Sequence, residues 1–183
     1  EIAEIILSKV LDDYPEKNIK YCVENAYDKK FNSDDITPLV KVGNDYILEL
    51  FHGPTSAFKD MALSILPYLS TEALKLNKIK EKILILTATS GDTGKAALEG
   101  FKNIEGIKIL VFFPNDGVSR VQEKQMITQE GNNTYVYAIN GNFDDAQSEV
   151  KKIFTDEEIK EKLKKKNYSL SSANSINIGR LVP

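Results

Sequence analysis

Residues 83–86 are an unbroken apolar run, Ile83-Leu84-Ile85-Leu86, followed after a polar turn by a helical pattern. A run that short suits a strand, and one without alternation suits a strand covered on both faces, as in a parallel sheet. The rhythm then repeats. A helix is expected over 94–102, a strand over 107–113 and a helix from near Ser119. A strand over 134–139 follows, then a helix over 143–154 opened by Asn142, and a last short strand over 168–171. Ser119-Arg120-Val121-Gln122 and Thr155-Asp156-Glu157-Glu158 read as capping boxes, the second starting a charged helix to about residue 166. Its Lys162, Lys164, Lys165 and Lys166 read as a solvated helix end. Strands alternating with helices imply an α/β fold: an open, mostly parallel sheet with flanking helices and right-handed crossovers.

Upstream, 2–12 and 15–29 read as two helices, with Pro15 suited to the first turn of the second. Residues 39–42 and 46–51, joined through Gly43-Asn44-Asp45, read as a hairpin. The second strand ends in His52-Gly53-Pro54, and a helix starts with a lysine in its first turn. Phe58, Met61, Ala62, Ile65, Leu66 and Leu69 recur at helical spacing and are its expected buried stripe; Pro67 is expected to disturb it before its end near 76. A helix N-terminus opposes a second cation by roughly 0.3–1 kcal/mol, so Lys59 there suits a neutral amine that attacks a carbonyl. The competing reading is a lysine whose stem lies on the apolar face while its head reaches solvent.

The balance of 24 Lys+Arg against 27 Asp+Glu gives a net charge of −3, without the basic field that general nucleic-acid binding needs. No apolar run approaches the roughly 20 residues that span a bilayer. The one cysteine, Cys22, cannot form an internal disulfide, which points to a reducing, cytoplasmic setting. The one histidine, His52, rules out a multi-histidine metal site, and no metal is expected.

Thr87-Ala88-Thr89-Ser90-Gly91-Asp92-Thr93-Gly94 joins the apolar strand to a helix start. A P-loop would need glycine where Thr89 stands and Ser or Thr where Ala96 stands; Gly91 and Gly94 do not make a dinucleotide fingerprint either. The turn does suit a carboxylate or small phosphate, with the Thr89, Ser90 and Thr93 hydroxyls supplementing backbone N–H donors around Gly91. The alternative is a capped helix start with nothing bound, Asp92 being a plain N-cap.

Taken together, His52-Gly53-Pro54-Thr55-Ser56-Ala57-Phe58-Lys59-Asp60 resembles the cofactor-lysine motif of the threonine synthases, which are fold-type II pyridoxal phosphate enzymes. The 87–94 loop is similar to the loop that holds the substrate carboxylate there, and residues 170–180 resemble a third signature. The resemblance implies a tryptophan synthase β-like fold and conversion of O-phospho-L-homoserine and water to L-threonine and phosphate. It implies that Lys59, with Phe58 and Asp92, holds pyridoxal 5'-phosphate, Asp92 facing the cofactor ring near its phenolic oxygen. Substrate would lie on Thr89, Ser90, Gly91 and Thr93. A cationic pocket for the departing phosphate is expected from Arg180 with Asn174 and Asn177, then Lys124 and Ser119. Lys124 also reads as a surface lysine and Ser119 as a cap.

The resemblance further implies an N-terminal helical segment over 1–36, a catalytic part over 37–183 and, within it, a small mobile subdomain about 80–155. In that family the glycine-rich loop around the cofactor phosphate follows the segment matched here. The chain is therefore expected to be an inactive fragment without cofactor, with exposed apolar surface and a tendency to self-associate. The other readings are a threonine synthase-like phospho-lyase that releases a keto acid, and a non-catalytic anion-binding module.

Overall fold

The computed structural model describes residues 1–183. Two helices come first, α1 (Ile2–Ser8) and α2 (Glu16–Ala26). The first stops short of the expected residue 12, where Asp12 and Asp13 would set negative charge against the negative end of the helix. Pro15 sits at the N-cap of α2 rather than inside it, its carbonyl accepting from the N–H of Asn18 at 2.8 Å.

The hairpin forms as expected, but β2 (Asp45–Leu48), paired with β1 (Leu39–Val42), ends at Leu48 rather than 51. Pro38, before β1, accepts from the N–H of Glu49 at 3.0 Å and has no N–H to continue the ladder.

Helix α3 (Lys59–Leu76) runs unbroken through Pro67. Proline denies Leu63 its i+4 donor, and Leu63 lies against Gly100 of the next helix: a Cβ at Gly100 would stand 2.2 Å from the Leu63 carbonyl oxygen. Where a disturbed helix was expected, a close helix–helix approach stands instead. The buried stripe holds for Met61, Ala62, Ile65 and Leu69, while Leu66 is half-buried and Phe58, which precedes the helix, is 41% exposed.

The sheet follows. β3 (Lys82–Ala88), α4 (Asp92–Phe101), β4 (Ile107–Pro114), α5 (Arg120–Ile127), β5 (Thr134–Ile139), α6 (Phe143–Thr155), α7 (Glu157–Lys165) and β6 (Tyr168–Ser171) alternate along the chain. The strands are all parallel, in the order β5-β4-β3-β6. Odd-numbered residues from Ile83 to Ile85 and from Ile107 to Phe113 join Leu63, Ala96, Ala97, Leu98, Phe101 and Met126 in one apolar core. Phe112, pointing the other way, lines a cavity with Ala146, Val150 and Ile153 of α6. Ser119 caps α5 and Asn142 caps α6, each in a capping box. For α7 the cap is Asp156, accepting from the Ile159 N–H at 3.0 Å, and not the expected Thr155, which closes α6.

A 3₁₀ turn (Ile178–Leu181) ends the fold. Val182, next to it, packs with Ala3 and Leu7 of α1, Cys22 of α2 and Met61, Ile65 and Leu69 of α3 in a second apolar core. No helix is long and apolar enough to cross a membrane.

Candidate active site

Two segments meet at the carboxyl end of β3: the start of α3 and the loop from Thr89 to Asp92. The turn into α3 is fastened from inside the helix. Asp60, 2% exposed, accepts from the Thr55 N–H at 2.8 Å and the Thr55 hydroxyl at 2.6 Å. Burial pushes its carboxyl above the ordinary value, against the pull of the Thr55 hydrogen bonds. With Asp60 turned inward, Lys59, the first residue of the helix, is left facing the loop.

The Lys59 side chain is 19% exposed, and its Nζ lies 3.7 Å from Asp92 Oδ2. That is near enough for charge attraction and longer than a hydrogen bond. The same Nζ stands 4.3 Å from the centre of the Phe58 ring, and the Arg180 guanidinium lies 4.9 Å from that ring. The exposed Phe58 ring thus has two basic side chains beside it.

The loop builds itself from Thr89. That residue is 1% exposed, and its hydroxyl accepts from the N–H groups of Gly91 (3.0 Å) and Gly94 (2.9 Å) and donates to the Gly91 carbonyl. The sequence offered this hydroxyl as a ligand donor; in the structure it is engaged in shaping the turn. The N–H groups of Ser90, Asp92 and Thr93 are left with no protein acceptor, at the positive end of α4. Ser90 is exposed and Thr93 half-buried. Gly91, at φ +149°, is the N-cap, so Asp92 is the first helical residue and not the cap.

What Asp92 does instead depends on Gln122, a residue sequence reasoning spent on capping alone. Its Oε1 accepts from the Ser119 N–H at 3.2 Å, completing the box, while its Nε2 donates to Asp92 Oδ1 at 2.7 Å. The available signal was glutamine, not glutamate, at that position, because only the amide keeps a donor. The Gln122 amide also covers Gly91, where a Cβ would come within 2.3 Å of Nε2.

The third segment divides. Asn177 donates to the carbonyls of Ala62 (3.1 Å) and Asn174 (2.7 Å) and accepts from the Gly179 N–H (2.9 Å), so its amide ties the 3₁₀ turn to α3. The Asn174 carboxamide oxygen accepts from the Ile176 N–H at 2.9 Å. Of the expected phosphate pocket, Arg180 stands by Phe58, Ser119 is engaged in its cap, and Lys124 is exposed on α5. No cluster of His, Cys, Asp and Glu suited to a metal ion is present.

The donor set fits an aldehyde cofactor. A primary amine stands at a helix start with a carboxylate beside it, and the adjoining loop carries N–H groups that have no protein acceptor.

No family model matches the chain. Threonine synthase-like 1 of Homo sapiens is 38% identical over 192 aligned positions, covering all of this chain and 25% of that protein. Threonine synthase of Pseudomonas aeruginosa is 42% identical over 166, covering 90% of this chain and 34% of its own length. The crystal structure of pyridoxal phosphate-bound threonine synthase from Brucella melitensis superposes with a TM-score of 0.82 at 38% identity, covering 99% of this chain and 38% of that one. The chain thus spans about a quarter to a third of the length of these curated relatives. With this likeness in sequence and in fold running through nearly all of its residues, the chain belongs to the threonine synthase family of fold-type II, pyridoxal phosphate-dependent enzymes.

Proposed function

We propose that this chain carries the lysine and carboxylate-binding loop of a threonine synthase, which converts O-phospho-L-homoserine and water to L-threonine and phosphate. The observation that supports this most is the Lys59 amine at the first residue of α3, 3.7 Å from Asp92 and beside a loop with unpaired N–H groups. Lys59 would hold pyridoxal phosphate, with Phe58 and Asp92 beside it. When bound, that cofactor stabilises negative charge at the substrate Cα.

The chain's own residues do the rest. The N–H groups of Ser90, Asp92 and Thr93, with the Ser90 and Thr93 hydroxyls, bind the substrate carboxylate and fix the direction of the Cα–H bond. Lys59 takes the proton from Cα and later moves a proton at Cβ, where water adds. Arg180 attracts the phosphate that leaves Cγ. Asn177 holds the segment carrying Arg180 against α3.

The test is to incubate the full-length protein with pyridoxal phosphate, reduce with borohydride and map the modified peptide. Modification at Lys59, lost in Lys59→Ala and in Lys59→Arg together with threonine formation, is the expected result. Modification at Lys95 or Lys124 instead would overturn the assignment. A second reading, a phospho-lyase releasing a keto acid, draws support from the match of the whole chain to a threonine synthase-like protein. Analysis of the carbon product separates the two.

A further inference from the structure

We infer that Gln122 is a positioning residue: it holds the Asp92 carboxylate back from the Lys59 amine, so that the amine stays free to attack a carbonyl. This rests on the reading of Lys59 given above. The two Asp92 oxygens are unequally placed. Oδ1 receives the Gln122 amide at 2.7 Å, a full hydrogen bond, while Oδ2 stands 3.7 Å from Lys59 Nζ, short of one. The Asp92 side chain is 47% exposed, which leaves the carboxylate room to turn.

Gln122 can impose it because its own place is fixed at three points. Its Oε1 accepts from the Ser119 N–H, its backbone N–H donates to the Ser119 hydroxyl at 3.2 Å, and its amide lies flat against Gly91. The glycine is what permits that contact. The capping box of α5 thus does two things with one side chain, closing the helix and aiming an N–H at the carboxylate next to the lysine. Without that N–H, Asp92 is free to close on Lys59 as a direct ion pair, and the engaged amine attacks more slowly.

The experiment uses the full-length protein, with the rate of borohydride-trapped pyridoxal phosphate incorporation at Lys59, followed by peptide mapping, as its readout. Gln122→Met keeps the length of the side chain and removes the donor. Gln122→Glu keeps the shape and repels Asp92, and it serves if the methionine variant does not fold. Either is expected to slow incorporation at Lys59 about tenfold, the effect of one hydrogen bond to a charged group. Neither should slow it further in an Asp92→Asn background, because the effect runs through that carboxylate. Ser119→Ala removes one of the three ties of Gln122 and keeps the Gln122 Nε2–Asp92 hydrogen bond, so it should lower the melting temperature and slow incorporation less than either glutamine variant. An unchanged rate in both glutamine variants overturns the inference. So does an equal slowing with and without the Asp92 carboxylate, which would make Gln122 a packing residue only. Absence of incorporation at Lys59 in the unaltered protein is a different failure, because it removes the assignment of Lys59 and this inference with it.

Discussion

Gly91 is held by two independent constraints, a φ of +149° that L side chains rarely adopt and a Gln122 amide where a Cβ would go. Gly91→Val is therefore expected to reduce substrate use by the full-length protein at least a hundredfold, while incorporation of pyridoxal phosphate at Lys59 suffers less. Equal kcat/KM in variant and parent would show that the carboxylate is bound elsewhere. A valine there would also crowd an anion approaching the loop, and the Gln122 amide is a nearer obstacle within the protein. Asp60 shows a different limit. It lies in the same motif as Lys59, yet its burial and its two bonds to Thr55 depend on the path of the preceding turn, which no periodicity encodes. Its folded-state pKa is raised, so its contribution to stability is complete below the unfolded value and is lost as pH rises through the folded one. Asp60→Asn, which can still accept from the Thr55 N–H and donate to its hydroxyl, should remove that loss. Urea unfolding of variant and parent from pH 4 upward is expected to show the parent alone losing this increment; parallel pH profiles would contradict it.

Strand and helix alternation from β3 to β6 was legible because apolar runs bounded by capping residues encode it locally. What α3 does at Pro67 was not, since the compensation comes from another helix. Among the glycines, Gly100 is the one where an added Cβ would come nearest to a backbone atom, the Leu63 carbonyl oxygen, and this contact limits how near α4, and so the loop ahead of it, comes to the lysine helix. Gly100→Ala puts two effects in opposition. Alanine favours the helical conformation by up to about 1 kcal/mol. The methyl group would meet a backbone carbonyl at 2.2 Å, and backbone moves less readily than a side chain. Overpacking of this kind costs about 1–3 kcal/mol, so it is expected to win, with the urea midpoint falling. A midpoint at or above that of the parent would show that α3 and α4 can part without loss. Because α4 carries Asp92, the same variant should also slow incorporation at Lys59, which is a check of element placement and not of chemistry.

The two apolar cores share one helix: Met61, Ile65 and Leu69 of α3 belong to one, and Leu63 belongs to the other. A boundary near residue 36 follows from the resemblance, but α1 and α2 bury their apolar stripes against α3 and against Val182, far away in sequence. A helix with residues in both cores cannot leave one and keep the other, so the molecule should unfold as one cooperative unit. Cys22 makes this measurable. It is fully buried in the core that joins α1, α2, α3 and Val182, and burial first, with the charge of Glu72 adding to it, pushes its thiol up to about 12. At pH 8 the folded protein should therefore resist a maleimide, and labelling should proceed only through opening of that core. Gly100→Ala acts in the other core, at the contact between α4 and α3. If the cores are coupled through α3, the variant should speed Cys22 labelling by the factor its urea midpoint implies, about tenfold for each 1.4 kcal/mol lost. If the midpoint falls while Cys22 labelling keeps the rate of the parent, the N-terminal helices open independently, and the division near residue 36 describes the energetics better than the shared helix does.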